Sequence, residues 1–174
     1  LLTAFAAFEE IGRMGSRVLA GELAPDVLIA VDVAHDFNAA PGVKERRFPK
    51  VSMGGGFTLS SGSICNPYLN QLIQETAHAD GIPFQMRVAG RDTGTDAMAA
   101  AFAATDAAAT SIGFPIRNMH TISESGHTGD VLAATHAVAG LIARLDAMND
   151  GEGATADDFR NNHPRLDDAV SIRD

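Results

Sequence analysis

The chain alternates short, continuous apolar runs with longer segments whose apolar positions recur three and four residues apart. Residues 1–8 (Leu-Leu-Thr-Ala-Phe-Ala-Ala-Phe) and 27–33 (Val-Leu-Ile-Ala-Val-Asp-Val) are of the first kind. Rich in Leu, Phe, Val and Ile and closing at or beside a carboxylate, they read as buried strands of a parallel or mixed sheet. Residues 83–88 and 111–115 read as two further strands. Of the second kind, residues 14–24 predict a brief helix closed by Pro25. Asn66 can cap a helix and Pro67 fits its first position; Leu69, Leu72, Ile73, Thr76 and Ala77 then share one face until Gly81. An alanine-crowded helix is expected over 95–109, and Val131, Leu132, Thr135, Val138, Ala139, Ile142 and Leu145 mark a last one from 128 or 129 to 148. Strands alternating with helices of this length predict an α/β layer fold, a mixed, largely parallel sheet sandwiched by helices.

Two stretches escape this alternation. Residues 41–63, punctuated by Pro41-Gly42, Pro49, Gly54-Gly55-Gly56 and Ser60-Ser61-Gly62-Ser63, read as a long loop with a hairpin over 50–59. Residues 149–174 carry Gly151, Gly153 and five Asp from Asp157 to Asp174, and read as an acidic, flexible tail behind a domain at 1–148.

Composition narrows the function classes. A length of 174 residues with 45% hydrophobic content supports one domain with a true core. The net charge of −9, from 22 acidic against 13 basic residues, argues against nucleic-acid or anionic-membrane surfaces and suits cationic groups or metal ions held by carboxylates. A lone cysteine, Cys65, excludes an internal disulfide, reads as a small packed residue, and points to a reducing, cytoplasmic compartment. The opening run is too short before Glu9 to span a bilayer, which takes roughly 20 residues. Its full hydrophobic density from a first residue that is not Met reads as a cut from a longer protein.

Candidate chemistry falls at strand ends, where open α/β sheets bind ligands. Glu9 and Glu10 follow the first apolar run; adjacent side chains of an extended backbone point apart, so one can hold a metal while the other reaches an activated water, and the plainer reading is a solvated loop. Asp32 lies inside an apolar run and needs a partner, which a salt bridge, a cap or a metal would each provide. His120 follows the 111–115 strand and is either a neutral imidazole ligand or a hydrogen-bonded loop histidine. His35 and Asp36 lie just past the second strand. The chain has no His-Glu-x-x-His helix, no Gly-x-Ser-x-Gly elbow and no phosphate loop; Gly54-Gly55-Gly56 alone reads as a flexible turn.

In order, Phe8-Glu9-Glu10-Ile11-Gly12-Arg13-Met14-Gly15-Ser16, Ala30-Val31-Asp32-Val33-Ala34-His35 running to Pro41-Gly42, Gly94-Thr95-Asp96-Ala97, and Pro115-Ile116-Arg117-Asn118-Met119-His120-Thr121 resemble the glutamyl aminopeptidase family of two-metal exopeptidases. The resemblance covers residues 1–148 and implies an incomplete three-layer exopeptidase fold, a pair of divalent ions, zinc or cobalt, bridged by water or hydroxide, and peptide substrates. It makes Glu9 the general base, Glu10 and His120 ligands of one metal and Asp32 a ligand of the second. His35 receives a supporting role and Asp96 a structural one near the site.

Departures from the pattern matter too. The family's remaining ligands, a histidine and a bridging aspartate, precede the Glu-Glu motif and are missing, as is the inserted domain used in building large homo-oligomers. Gly54-Gly55-Gly56 stands where the family has a Gly-Lys-Gly-like stretch, which puts substrate positioning in question, and Met119 replaces a Tyr. The rival readings are an inactive remnant serving as a binding or assembly partner, and a related two-metal amidohydrolase or deacetylase. An upstream His-x-Asp motif would discriminate the first; parallel assays of amino-acid p-nitroanilides and N-acyl amino acids would discriminate the second.

Overall fold

The structure, a computed structural model, describes residues 1–38, 51–104 and 106–161. Among them the elements run α1 Met14–Leu23, β1 Val27–His35, β2 Phe57–Gly62, α2 Pro67–Ala79, β3 Phe84–Ala89, α3 Asp96–Ala103, β4 Ala108–Arg117, β5 Ser125–Gly126, α4 Thr128–Asp146 and α5 Ala156–Asn161. The sheet has the order β1-β4-β2-β3, with β5 on the end of β4. β1 and β4 are parallel from Val27↔Ala108 to His35↔Ile116, β2 and β3 are parallel, and β2 meets β4 antiparallel. The expected mixed, largely parallel sheet is therefore two parallel pairs joined at one antiparallel seam.

Side-chain alternation along β1 places helices on both faces. Val27 and Ile29 pack into the main core with α2 and α4, while Leu28 between them meets an alanine cluster of α1 and α3. Phe57, Leu59, Leu69, Ile73, Ile112 and Leu141 are fully buried in the main core. On the other face Ala20, Ala100 and Ala104 have no bulk to separate the layers, so α1 and α3 lie close together. Local signals start the helices: as the sequence predicts, the Asn66 side chain accepts from the Leu69 amide at 2.9 Å ahead of Pro67, and Thr95 Oγ1 likewise accepts from the Ala97 amide at 3.3 Å. Among the described residues no helix is long and apolar enough to cross a membrane.

Four expectations change. Residues 1–8 form neither strand nor helix, and Leu1 and Phe5 are each 98% exposed. An apolar run becomes a strand only where a sheet edge takes its backbone bonds. Here the Ala7 carbonyl instead accepts from the Gly15 amide at 3.0 Å, and a Cβ on Gly15 would stand 2.6 Å from Ala7 backbone atoms. The hairpin over 50–59 is replaced by β2, an interior strand whose Thr58 and Ser60 are as buried as its Phe57 and Leu59; small polar residues disguised a strand covered on both faces. Residues 39–50 of the same stretch lie outside the described residues. The helix expected over 95–109 stops at Ala103 and β4 begins at Ala108, because alanine lets sheet and helix read alike while burial of Ala108 and Ala109 favours the sheet.

Finally, within the segment expected as a tail, Phe159 of α5 is 2% exposed and stands edge-on to Tyr68 at 5.7 Å. Residues 162–174 lie outside the described residues. Phe159→Ala should lower unfolding free energy by about 3 kcal/mol in urea titrations, and a loss below about 1 kcal/mol would show that α5 adds nothing to the core.

Candidate active site

Because β1 and β4 run in one direction, the carboxyl-terminal half of β1 and the loop beyond β4 open onto one cleft of 830 Å³, lined among others by Glu9, Glu10, Asp32, Val33, Met119 and His120. All four sequence-predicted site residues are therefore on its walls. Asp32 lies opposite Gly113 of β4, where a Cβ would stand 2.1 Å from the Asp32 carbonyl oxygen; the glycine lets the strands close at the level of the carboxylate. Asp32 Oδ1 accepts from the Val33 amide at 2.7 Å. Burial pushes the Asp32 carboxyl above its ordinary range and the charges of Asp96 and Glu10 add to this, while the Val33 amide and Arg87 oppose it.

The two glutamates sit in a tight turn between the opening segment and α1. Phe8, Gly12 and Arg13 take positive φ values of 63°, 128° and 55°, and the Arg13 amide donates to the carbonyls of Phe8 at 2.8 Å and Glu9 at 3.0 Å. The turn separates the neighbours: Glu9 is partly buried and lies 3.4 Å from Arg13 Nε, while Glu10 is exposed and lies 3.4 Å from His120 Nε2. Burial raises the Glu9 carboxyl, followed by repulsion from Asp32, Glu10 and Asp96, with Arg13 opposing.

His120 belongs to the turn linking β4 to β5. Asn118 and His120 both have positive φ, 57° and 63°, and the His120 amide donates to Glu124 Oε1 at 2.6 Å. Such conformations cost energy in residues with a Cβ and persist only where neighbours fix them, which is common at functional sites. Asp96, in the first turn of α3, has an Oδ1 atom that is buried without a partner.

Other candidates stand apart. His35 is exposed at the end of β1 and does not line the cleft. Asp36 is 1% exposed and bonded to Arg117 Nε at 2.8 Å, a structural pair. Gly54-Gly55-Gly56 is no loose turn: the Gly54 and Gly56 amides donate to the buried Asp130 carboxylate at 2.7 and 2.8 Å. At Gly56, with φ 92°, a Cβ would stand 2.0 Å from the Pro83 carbonyl oxygen.

Sequence reading missed Arg13 and Asp92 as cleft residues, although both lie inside or next to quoted motifs. Their pairing, Nη1 to Oδ1 at 2.8 Å, joins positions 79 apart in the chain, which no local pattern encodes.

The donor set fits a divalent cation in kind. Carboxylates and an imidazole suit zinc-like ions, burial and neighbouring acidic charge raise the Glu9 and Asp32 carboxyls, and Asp96 keeps an unsatisfied buried oxygen. Glu10 and His120 already meet. Among the described residues no group of three or more His, Cys, Asp and Glu side chains is gathered closely enough to hold an ion.

The chain resembles known proteins over most of its length. The family model for M42 glutamyl aminopeptidase matches residues 1–136. The chain is 33% identical over 141 residues to a lysyl aminopeptidase of Pyrococcus furiosus, an alignment covering 81% of this chain and 40% of that protein. It superposes with a TM-score of 0.71 and 25% identity on a TET aminopeptidase from the archaeon Thaumarchaeota archaeon SCGC AB-539-E09, covering 87% of this chain and 40% of that one. With the Pyrococcus horikoshii TET1 peptidase, which assembles into a tetrahedron or a large octahedral shell, the TM-score is 0.63 at 24% identity, covering 79% of this chain and 39% of that one. The chain thus spans about 40% of the length of these relatives.

A carboxylate raised by burial and repulsion destabilises the fold while charged, and that penalty disappears as the pH falls through its folded-state pKa. Asp32→Asn should therefore stabilise the metal-free chain at pH 7, by on the order of 1 kcal/mol or less after solvent screening. The gain should fade as the pH falls through the ordinary carboxylate range. Urea titrations across that range check this, and a destabilised Asp32→Asn variant would contradict it.

Proposed function

Since the chain belongs to the M42 glutamyl aminopeptidase family, we propose that it supplies the general base and part of the metal shell of an aminopeptidase that removes the N-terminal residue of peptides. The observation that carries this reading is the cleft itself, in which a partly buried, proton-hungry Glu9 stands beside a Glu10–His120 pair and Asp32. Glu10 and His120 would hold one divalent ion and Asp32 the second. Zinc or cobalt at these positions would supply Lewis acidity, polarising the scissile carbonyl and acidifying the attacking water.

Glu9 is suited to move the proton. Its raised pKa brings it closer to the working pH, where general-base catalysis is most efficient, and Arg13 at Oε1 leaves Oε2 to take a proton from water and pass it to the leaving amine. The acidic walls, Glu124 among them, attract the free α-ammonium that marks an aminopeptidase substrate. The lone cysteine supports a cytoplasmic location. The shells formed by the Pyrococcus horikoshii TET1 peptidase support a homo-oligomer for the complete protein.

Glu9→Gln in the peptidase-competent protein should lower kcat on aminoacyl p-nitroanilides by about 10²–10⁴-fold, and full activity would remove Glu9 from the mechanism. Isothermal titration of the 174-residue chain with zinc or cobalt should show incomplete loading. Tight stoichiometric binding of a full pair of ions would contradict a metal shell shared with a further polypeptide segment.

A further inference from the structure

One guanidinium links the glutamate turn to the loop before α3. Arg13 Nη1 donates to Asp92 Oδ1 at 2.8 Å and to Oδ2 at 3.0 Å, while its Nε lies 3.4 Å from Glu9 Oε1. The planar fork of arginine can engage both carboxylates from one fixed position, which the single ammonium of lysine does less well. The same residue also fixes the turn through its backbone: its amide donates to the Phe8 and Glu9 carbonyls, and its carbonyl accepts from Ser16 Oγ at 3.0 Å.

Asp92 is itself immobilised. Its Oδ1 accepts from the Gly94 amide at 2.8 Å, and the nearby Thr93 and Thr95, the latter the α3 cap, are buried and bonded to each other at 3.0 Å. Arg13 thus connects the Glu9 carboxylate to one that also accepts from a backbone amide. Glu9 shares the cleft with Glu10 and Asp32, and the Arg13 contact sets a cation against it from the side of the loop before α3.

We propose that Arg13, anchored by Asp92, is the positioning residue that holds the Glu9 carboxylate in the cleft. The inference rests on the reading of Glu9 as the base. It assigns Arg13 no contact with substrate; its effect on catalysis runs through Glu9, where a displacement on the order of 1 Å can cost about 10²-fold in rate.

Two readouts test it, with Asp92→Asn as the variant, since Asp92 is surface-accessible and the substitution is nearly isosteric. In the chain as it stands, NMR hydrogen exchange at the Gly12, Arg13 and Gly15 amides should accelerate about 10-fold in Asp92→Asn. Adding Arg13→Lys should accelerate it no further, because both substitutions open the same link. In the peptidase-competent protein, Asp92→Asn should lower kcat by about 10–100-fold with KM within about twofold, the signature of a misplaced base rather than lost substrate binding. Unchanged exchange at the three amides overturns the proposal. So does an unchanged kcat in Asp92→Asn when Glu9→Gln is inactive, since the link would then be only structural. Full activity in Glu9→Gln is a different failure: it removes the base, and the proposal falls with it.

Discussion

The parallel pairing of β1 with β4 is the constraint on which the site depends. It aligns residue for residue from Val27↔Ala108 to His35↔Ile116, so the side of the sheet where β1 carries Asp32 is also the side where the chain leaves β4 toward His120. Gly113 permits that closeness at the height of Asp32; any side chain there would meet the neighbouring backbone. The α1–α3 layer, built on alanines, then brings the glutamate turn and the Asp92–Asp96 loop to the same end. A one-residue slip in this pairing would face Asp32 the other way and disperse the cleft.

Acidic residues in this molecule divide by what compensates them. Asp130 accepts two backbone amides from the glycine run, and Asp36 pairs with Arg117; both are buried, satisfied and structural. Glu9 and Asp32 in the cleft have less compensation than their burial demands: Arg13 and Arg87 offset only part of it, and Asp96 behind them has an Oδ1 without a partner. Uncompensated negative charge in a cleft costs folding stability, and proteins retain it where a cation or reaction repays it. That contrast separates the site from the rest of an acidic surface more sharply than net charge does.

How much of this was readable depended on whether the deciding interaction was local. Asn66-Pro67 announced a helix start because capping acts within three residues, and Asp32 stood out as a carboxylate in an apolar run. The resemblance of four ordered motifs brought Glu9, Glu10 and His120 together with it, and the cleft places them on shared walls. Residues 1–8 misled because strand formation requires a partner edge as well as apolar side chains. β2 was hidden because Thr58 and Ser60 are polar yet buried, α5 because a single Phe159 amid aspartates gives no period, and the Arg13–Asp92 link because it spans distant loops. The glycine run looked like a flexible turn because its partner, Asp130, lies on α4.

On the proposed reading, this carboxylate-rich end of the sheet is a cation site built for hydrolysis. A crystal of the chain soaked in cobalt or zinc and measured at the metal's absorption edge tests it most directly. An anomalous peak is expected within about 2.0–2.2 Å of Glu10 and His120 donor atoms. No peak in the cleft, or a peak only at exposed carboxylates elsewhere on the surface, would contradict it.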